Sequence, residues 1–266
     1  MNQEVNPFQP PEADIEPVHS GEDSGALASE PRSVPAGNGV QWISDGWNIY
    51  KPHFGLWIGM LVVTGAIFMV ASMLPLIGML SGWLFPMFLG GWMIGCRRVH
   101  TEGELRFEDL FAGFSEHLQP LAIASLVYLG GNIVAMIAAA FIAVILGGSA
   151  AFLFTADAST AAGAMGLAIV LGLLVFMALL MPILMMIWFA PALIVFNRIE
   201  PIQALKLSFI GCLRNIVPFL LYGLVGMAML IIGAIPLFLG WLVVYPVLMC
   251  AVYPAYRDIF LEENPV

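Results

Sequence analysis

Charge is what this chain has least of. Only 10% of its 266 residues are Asp, Glu, Lys or Arg, against about 25% in soluble proteins. Six apolar stretches, at 54–74, 79–96, 120–145, 164–190, 216–235 and 238–256, contain no charged residue at all. A charge at the centre of a membrane helix costs about 2.5–3.5 kcal/mol on insertion scales, so one that is kept there usually serves an ion path. Its absence argues against proton or sodium coupling. Cysteine is scarce too, at three residues. Cys96 and Cys212 fall near span ends and Cys250 inside the last stretch, so no disulfide is expected. His53, His100 and His117 show no metal-ligand spacing. The first residues offer neither a basic start nor an apolar run, which speaks against a signal peptide. A net charge of −9 argues against nucleic acid as a partner and against a polybasic lipid-docking patch.

What is there is length and hydrophobicity. At 61% hydrophobic residues, with each stretch near the 20 residues that cross a hydrocarbon core of about 30 Å, the chain reads as an all-α polytopic membrane protein with six transmembrane helices and the bilayer as its medium. All nine Lys and Arg residues can sit on one side of the membrane. The positive-inside rule then places both termini in the cytoplasm. The other side is sparse, with one real loop expected at 147–163. Residues 1–40 hold seven acids against Arg32 and include six prolines, the composition of a disordered acidic cytoplasmic tail. Residues 41–260 form the membrane domain, and 261–266 a short cytoplasmic end.

Three parallel units are expected inside that domain, at about 41–98, 105–198 and 201–260, each an interfacial amphipathic helix followed by a transmembrane hairpin. The amphipathic faces read Trp42, Ile43, Gly46, Trp47 and Tyr50, then Phe107, Leu110, Phe111, Phe114 and Leu118, then Ile202, Leu205, Phe209 and Leu213. Each is too short to span and has one polar face, which places it at headgroup depth. A proline follows each at the same distance, nine residues after Ile43, Phe111 and Phe209. Arg97, Arg198 and Arg257 close the corresponding returning helices.

Few residues offer chemistry. Gly91 and Gly95, four apart like Gly55/Gly59 and Gly78/Gly82, suit close helix packing within the chain or between copies. Asn132 is the lone amide within a span; it either lines a polar path or bonds a facing backbone group. Met177, Met181, Met185 and Met186 could hold cuprous copper but read more simply as apolar packing. Glu104 and Glu108 lack the pocket and nucleophile that an acid/base pair needs. No catalytic residue, metal or cofactor is therefore expected, and the chain does not read as an enzyme. Asn6, Pro7 and Phe8 open a proline-stiffened run with the look of a short docking motif for a membrane or cytoplasmic protein.

The run Trp188-Phe-Ala-Pro-Ala-Leu-Ile-Val-Phe-Asn197, with Ala204-Leu-Lys-Leu-Ser-Phe209, Gly46-Trp47, Leu110-Phe111 and Tyr253-Pro-Ala-Tyr-Arg-Asp-Ile-Phe260, resembles an uncharacterised family of six-helix bacterial inner-membrane proteins. That family is related to the membrane domain found beside some glycerophosphodiester phosphodiesterases. The resemblance runs from Val40 to Phe260 and implies a multi-pass protein of the bacterial inner membrane. It carries no phosphodiesterase chemistry, because the soluble domain for it is missing from this sequence. The functional expectation is a non-enzymatic organising or accessory protein of the cell envelope. The alternative is a transporter or channel for an uncharged or lipid-like solute.

Overall fold

The computed structural model describes residues 25–74, 81–115, 117–153 and 158–262. It is all-helical: α1 Asn38–Tyr50, α2 Phe54–Ser72, α3 Phe85–Glu102, α4 Leu118–Leu153, α5 Ala158–Trp188, α6 Ala190–Asn197, α7 Pro201–Arg214, α8 Ile216–Ala234 and α9 Trp241–Phe260. Proline in the first turn opens α3, α6 and α7, where its missing N–H would have had no helical partner. Five candidate membrane spans occur among the described residues, namely Asn38–Ser72, Leu118–Ile145, Met165–Asn197, Ile216–Ala234 and Trp241–Phe260. The expected second span differs. Its helix, α3, is 18 residues long and ends with Arg97, Arg98 and Glu102, while residues 75–80 lie outside the described residues.

Packing is concentrated at one end of the bundle, where the basic residues and the chain ends meet. Trp42, Trp57, Phe189 and Tyr256 are all fully buried there. α1 lies against α9 and α8 so closely that a Cβ on Gly39 would stand 2.0 Å from the Pro218 carbonyl oxygen, and one on Gly46 2.7 Å from the Val247 oxygen. The opposite end is less closely packed among the described residues. Ile235 and Leu237 in the α8–α9 turn are 79% and 86% exposed, and aliphatic side chains along α2, α4, α5 and α8 face outward as lipid-covered surface would.

Four expectations need correction. The amphipathic faces of the short helices are not lipid-facing throughout. Trp42, Ile43, Gly46 and Tyr50 of α1 pack into protein and Trp47 alone of its set is exposed. In α7 the buried face is Ala204, Leu205, Ser208, Gly211 and Cys212, while Ile202 and Leu213 point outward. The middle element, Phe107–Phe114, is a 3-10 helix, so a face counted at 3.6 residues per turn does not hold. The loop expected at 147–163 is helical apart from 154–157, which lie outside the described residues: α4 and α5 have 36 and 31 residues, about 54 and 47 Å at 1.5 Å per residue. Finally, the tail does not run free to residue 40, because residues from 25 onward are bound to the bundle.

Candidate functional site at the basic end

The N-terminal strap, residues 25–37, is held by backbone and side chain together. The Ala28 and Arg32 N–H groups donate to the Phe260 and Ile259 carbonyls, and the Glu262 N–H to the Ala26 carbonyl. Asn215, fully buried between α7 and α8, accepts from the Val34 N–H at 2.9 Å and donates to the Arg32 carbonyl at 2.8 Å. Arg214 donates to the Pro31 carbonyl at 2.8 Å and pairs with Glu30 at 2.6 Å. An amide is the right group at position 215, because the strap presents one donor and one acceptor side by side.

Beside the strap, α1 is locked to α9 through one carboxylate. Asp258 Oδ2 accepts from Asn38 Nδ2 at 2.7 Å and from Trp42 Nε1 at 2.9 Å. Charge-assisted bonds of this kind are about twice as strong as neutral ones. On the other flank Arg98 pairs with Asp109 at 3.1 Å, and the Asp109 carboxylate also accepts from the Arg106 N–H. Burial pushes the Asp109 carboxyl above its ordinary range, more than the Arg106 N–H and the Arg98 and Arg106 charges pull it down.

The Trp188–Pro191 run owes its shape to a helix break. Pro191 has no N–H to offer the ladder, and the chain leaves helical bonding at Phe189, between α5 and α6. Ser208 of α7 enters the gap: the Phe189 N–H donates to Ser208 Oγ at 2.9 Å, and that hydroxyl donates to the Met185 carbonyl at 2.7 Å. Those are the two groups that an unbroken helix would have joined directly, so the hydroxyl restores the broken bond by insertion. In the sequence Ser208 is one of two polar residues in Ala204–Phe209, with Lys206, and nothing there pairs it with Phe189.

Farther out, a side cavity of about 290 Å³ opens between α2, α3 and α9, lined by Leu61, Thr64, Phe68, Phe88, Trp92 and Tyr245. Its wall is apolar, and Thr64 spends its hydroxyl on the Met60 carbonyl. The indole N–H groups of Trp57 and Trp92 have no hydrogen-bond partner among the described residues.

The residues singled out in the sequence do not gather at one point. Asn132 Nδ2 donates to the Tyr128 carbonyl, four residues back in its own helix. Tyr222 donates to the Leu248 carbonyl. Gly91 meets the Leu110 carbonyl at 2.3 Å from its hypothetical Cβ, and Gly95 meets Leu105 and Trp57, so both bring α3 close to neighbours in the same chain. Met177 and Met181 are exposed, whereas Met185 and Met186 pack on the core. Cys96, Cys212 and Cys250 are free and buried, with Cys96 and Cys250 in thiol–thiol contact. No group of three or more metal-ligating side chains occurs among the described residues. Asn6, Pro7 and Phe8 lie outside the described residues.

No family model matches the chain, and no solved structure matches it. It is similar to a probable inner membrane protein of Burkholderia thailandensis, 27% identical over 260 residues that cover 87% of this chain and 94% of that relative. Similarity over nearly the whole of both chains accords with the helices described above, which suit a membrane protein.

Proposed function

We propose that the chain is a multi-pass protein of the bacterial inner membrane that organises or assists envelope components without catalysis, its termini on the cytoplasmic side. The strap supports this reading. Asn215, Arg214 and the end of α9 fix residues 25–37 to the basic end of the bundle, so the acidic segment before Gly25 starts from a defined point. A tethered linear segment is a suitable contact element for another protein. The six-span count and the three parallel units belong to this proposal, with α3 as the second span, completed by residues before Phe85. So does the family relation implied by the Trp188–Pro191 run.

A photo-crosslinking residue in place of Phe8 tests the tail's role in intact cells. A discrete protein adduct that weakens in Asn215→Ala is expected. No protein adduct, or a pattern indifferent to Asn215→Ala, sinks the idea. For orientation, a cysteine at Ser159 should react with an impermeant thiol reagent in spheroplasts and one at Ser115 should not; the reverse overturns it.

The side cavity favours the second reading, passage or binding of an uncharged or lipid-like solute. Liposomes holding the protein should then move such a solute faster than empty ones, and equal rates would exclude it.

A further inference from the structure

Arginine and aromatic rings form a separate cluster at the basic end, where α3, α6 and α9 terminate. The Arg97 guanidinium of α3 stands over the Phe196 ring of α6, 5.2 Å from its centroid. Phe196 packs on Tyr253 and Tyr256 of α9 with centroids 6.0 and 5.5 Å away. Tyr253 in turn packs on His100, one turn beyond Arg97, and the Arg257 guanidinium donates to that imidazole. The buried Tyr256 hydroxyl donates to Asn197 Oδ1. Arg198 follows directly, in the left-handed conformation that ends α6. Arg97 and Arg257 both lie near enough to the Tyr256 hydroxyl to act on it electrostatically.

Arg97, Arg198 and Arg257 make no ion pair among the described residues. The carboxylates nearest them in sequence are committed or turned outward: Asp258 holds Asn38 and Trp42, Asp109 holds Arg98, and Glu102 and Glu200 are exposed. Arg97 stands over Phe196 and Arg257 against His100, which packs on Tyr253 of the same ring cluster, and like charges that border one aromatic cluster are relieved when an anion joins them. A guanidinium stacked on a ring still offers its N–H edge, a rigid fork that matches phosphate oxygens in pairs. The cluster also sits where the helices end, at the depth of lipid headgroups.

We propose that Arg97, Arg198 and Arg257 form a phosphate-binding site, filled by the headgroup of an anionic phospholipid or by a small soluble phosphate ester. These are the arginines that close the three units read from the sequence; Arg97 and Arg257 border the ring cluster and Arg198 directly follows Asn197, which accepts from the Tyr256 hydroxyl, so the site stands whether or not the tail binds a partner.

The full chain, purified in uncharged detergent, is titrated with phosphatidylglycerol and with phosphatidylcholine while binding is followed by native mass spectrometry. Phosphatidylglycerol should bind about tenfold tighter. Arg97→Gln combined with Arg257→Gln should abolish that preference. Arg198→Gln, at an exposed position that cannot disturb the core, should weaken it about threefold with the melting temperature unchanged. Lys51→Gln, outside the cluster, should leave it intact. Inorganic phosphate or glycerol 3-phosphate competing at millimolar concentration assigns the site to a soluble ester, and failure to compete assigns it to lipid. Equal binding of the two lipids with no arginine-dependent binding of either soluble probe, or a loss in Lys51→Gln as large as in Arg198→Gln, overturns the proposal.

Discussion

The two ends of this bundle are held by different means. At the basic end, indole, phenol and carboxylate groups meet across helices: Trp42 on Asp258, Tyr256 on Asn197, Ser208 in the break at Phe189. At the far end the helices show mostly aliphatic side chains, and the turn after α8 leaves Ile235 and Leu237 almost uncovered. Lipid tails are as apolar as leucine, so burying leucine against another helix gains little in a bilayer. Close backbone approach and hydrogen bonding must do the joining, and both are found at the basic end. The comparison teaches that cross-helix bonds of carboxylate, indole and phenol gather at one end of the bundle, while elsewhere small residues such as Gly172 on Ala143 and Gly240 on Gly233 bring backbones together.

Substitutions should therefore weigh very differently by position. The largest effect is expected at the α1 contacts, where Gly39→Ala or Gly46→Ala drives a methyl into the backbone of α8 or α9. Thermal unfolding in detergent should show a loss of about 3 kcal/mol, the upper range for overpacking. Gly223→Ala on α8, where the added carbon meets nothing within 4 Å, should gain about 0.5–1 kcal/mol from helix propensity. Equal losses at both places would break the comparison. Next comes Ser208→Ala, which leaves the buried Phe189 N–H without its acceptor and the Met185 carbonyl with the Cys212 thiol alone, for about 2 kcal/mol. Asn215→Ala should free the strap, seen as rapid proteolysis within 25–37 while the helical core stays intact. At the far end Leu237 has φ 54°, a left-handed conformation that costs a branched residue about 1–2 kcal/mol. Leu237→Gly should then stabilise by up to about 1 kcal/mol. The smallest effect is the pH profile of Asp109. Its carboxyl is raised by burial, so the stability of the wild type relative to Asp109→Asn should be greatest below the unfolded value of about 3.9. It should fall as pH rises through the raised native value and change no further above it. A rise with pH would contradict the burial.

Much of the architecture could be read in advance because lipid imposes strong rules. Apolar length pointed to six spans, five of which have counterparts among the described residues, and Pro201 marked a true helix start. Gly91 and Gly95 do bring neighbours close. Amphipathicity revealed that α1 has an apolar face, yet not whether lipid or protein covers it; Trp42 is buried and Trp47 exposed although both share that stripe. Gly147, Gly148 and Gly163 look like loop punctuation and so mask the length of α4 and α5, while the four-residue spacing of Gly131, Ala135, Ala139 and Ala143 is a packing signal. Facing it, a Cβ on Gly172 would stand 2.8 Å from Ala143. The strap has no local signature, since its partners Arg214, Asn215 and the end of α9 lie far along the sequence and part of its bonding runs main chain to main chain. Arg97, Arg198 and Arg257 read in the sequence as orientation marks, and the meetings of Arg97 with Phe196 and of Arg257 with His100 depend on long-range packing that no local pattern carries.

The strap also sets an order of events during synthesis. Arg32 reaches the carbonyl of Leu261 across 229 residues of sequence, and the Ala28 and Arg32 N–H groups wait for carbonyls at the end of the last helix. Residues 28–32, made long before α9, thus find their partners only after that helix is complete. Closing so long a loop is slow and comes last, so a chain truncated before α9 would keep its spans yet leave its N-terminal segment unlatched.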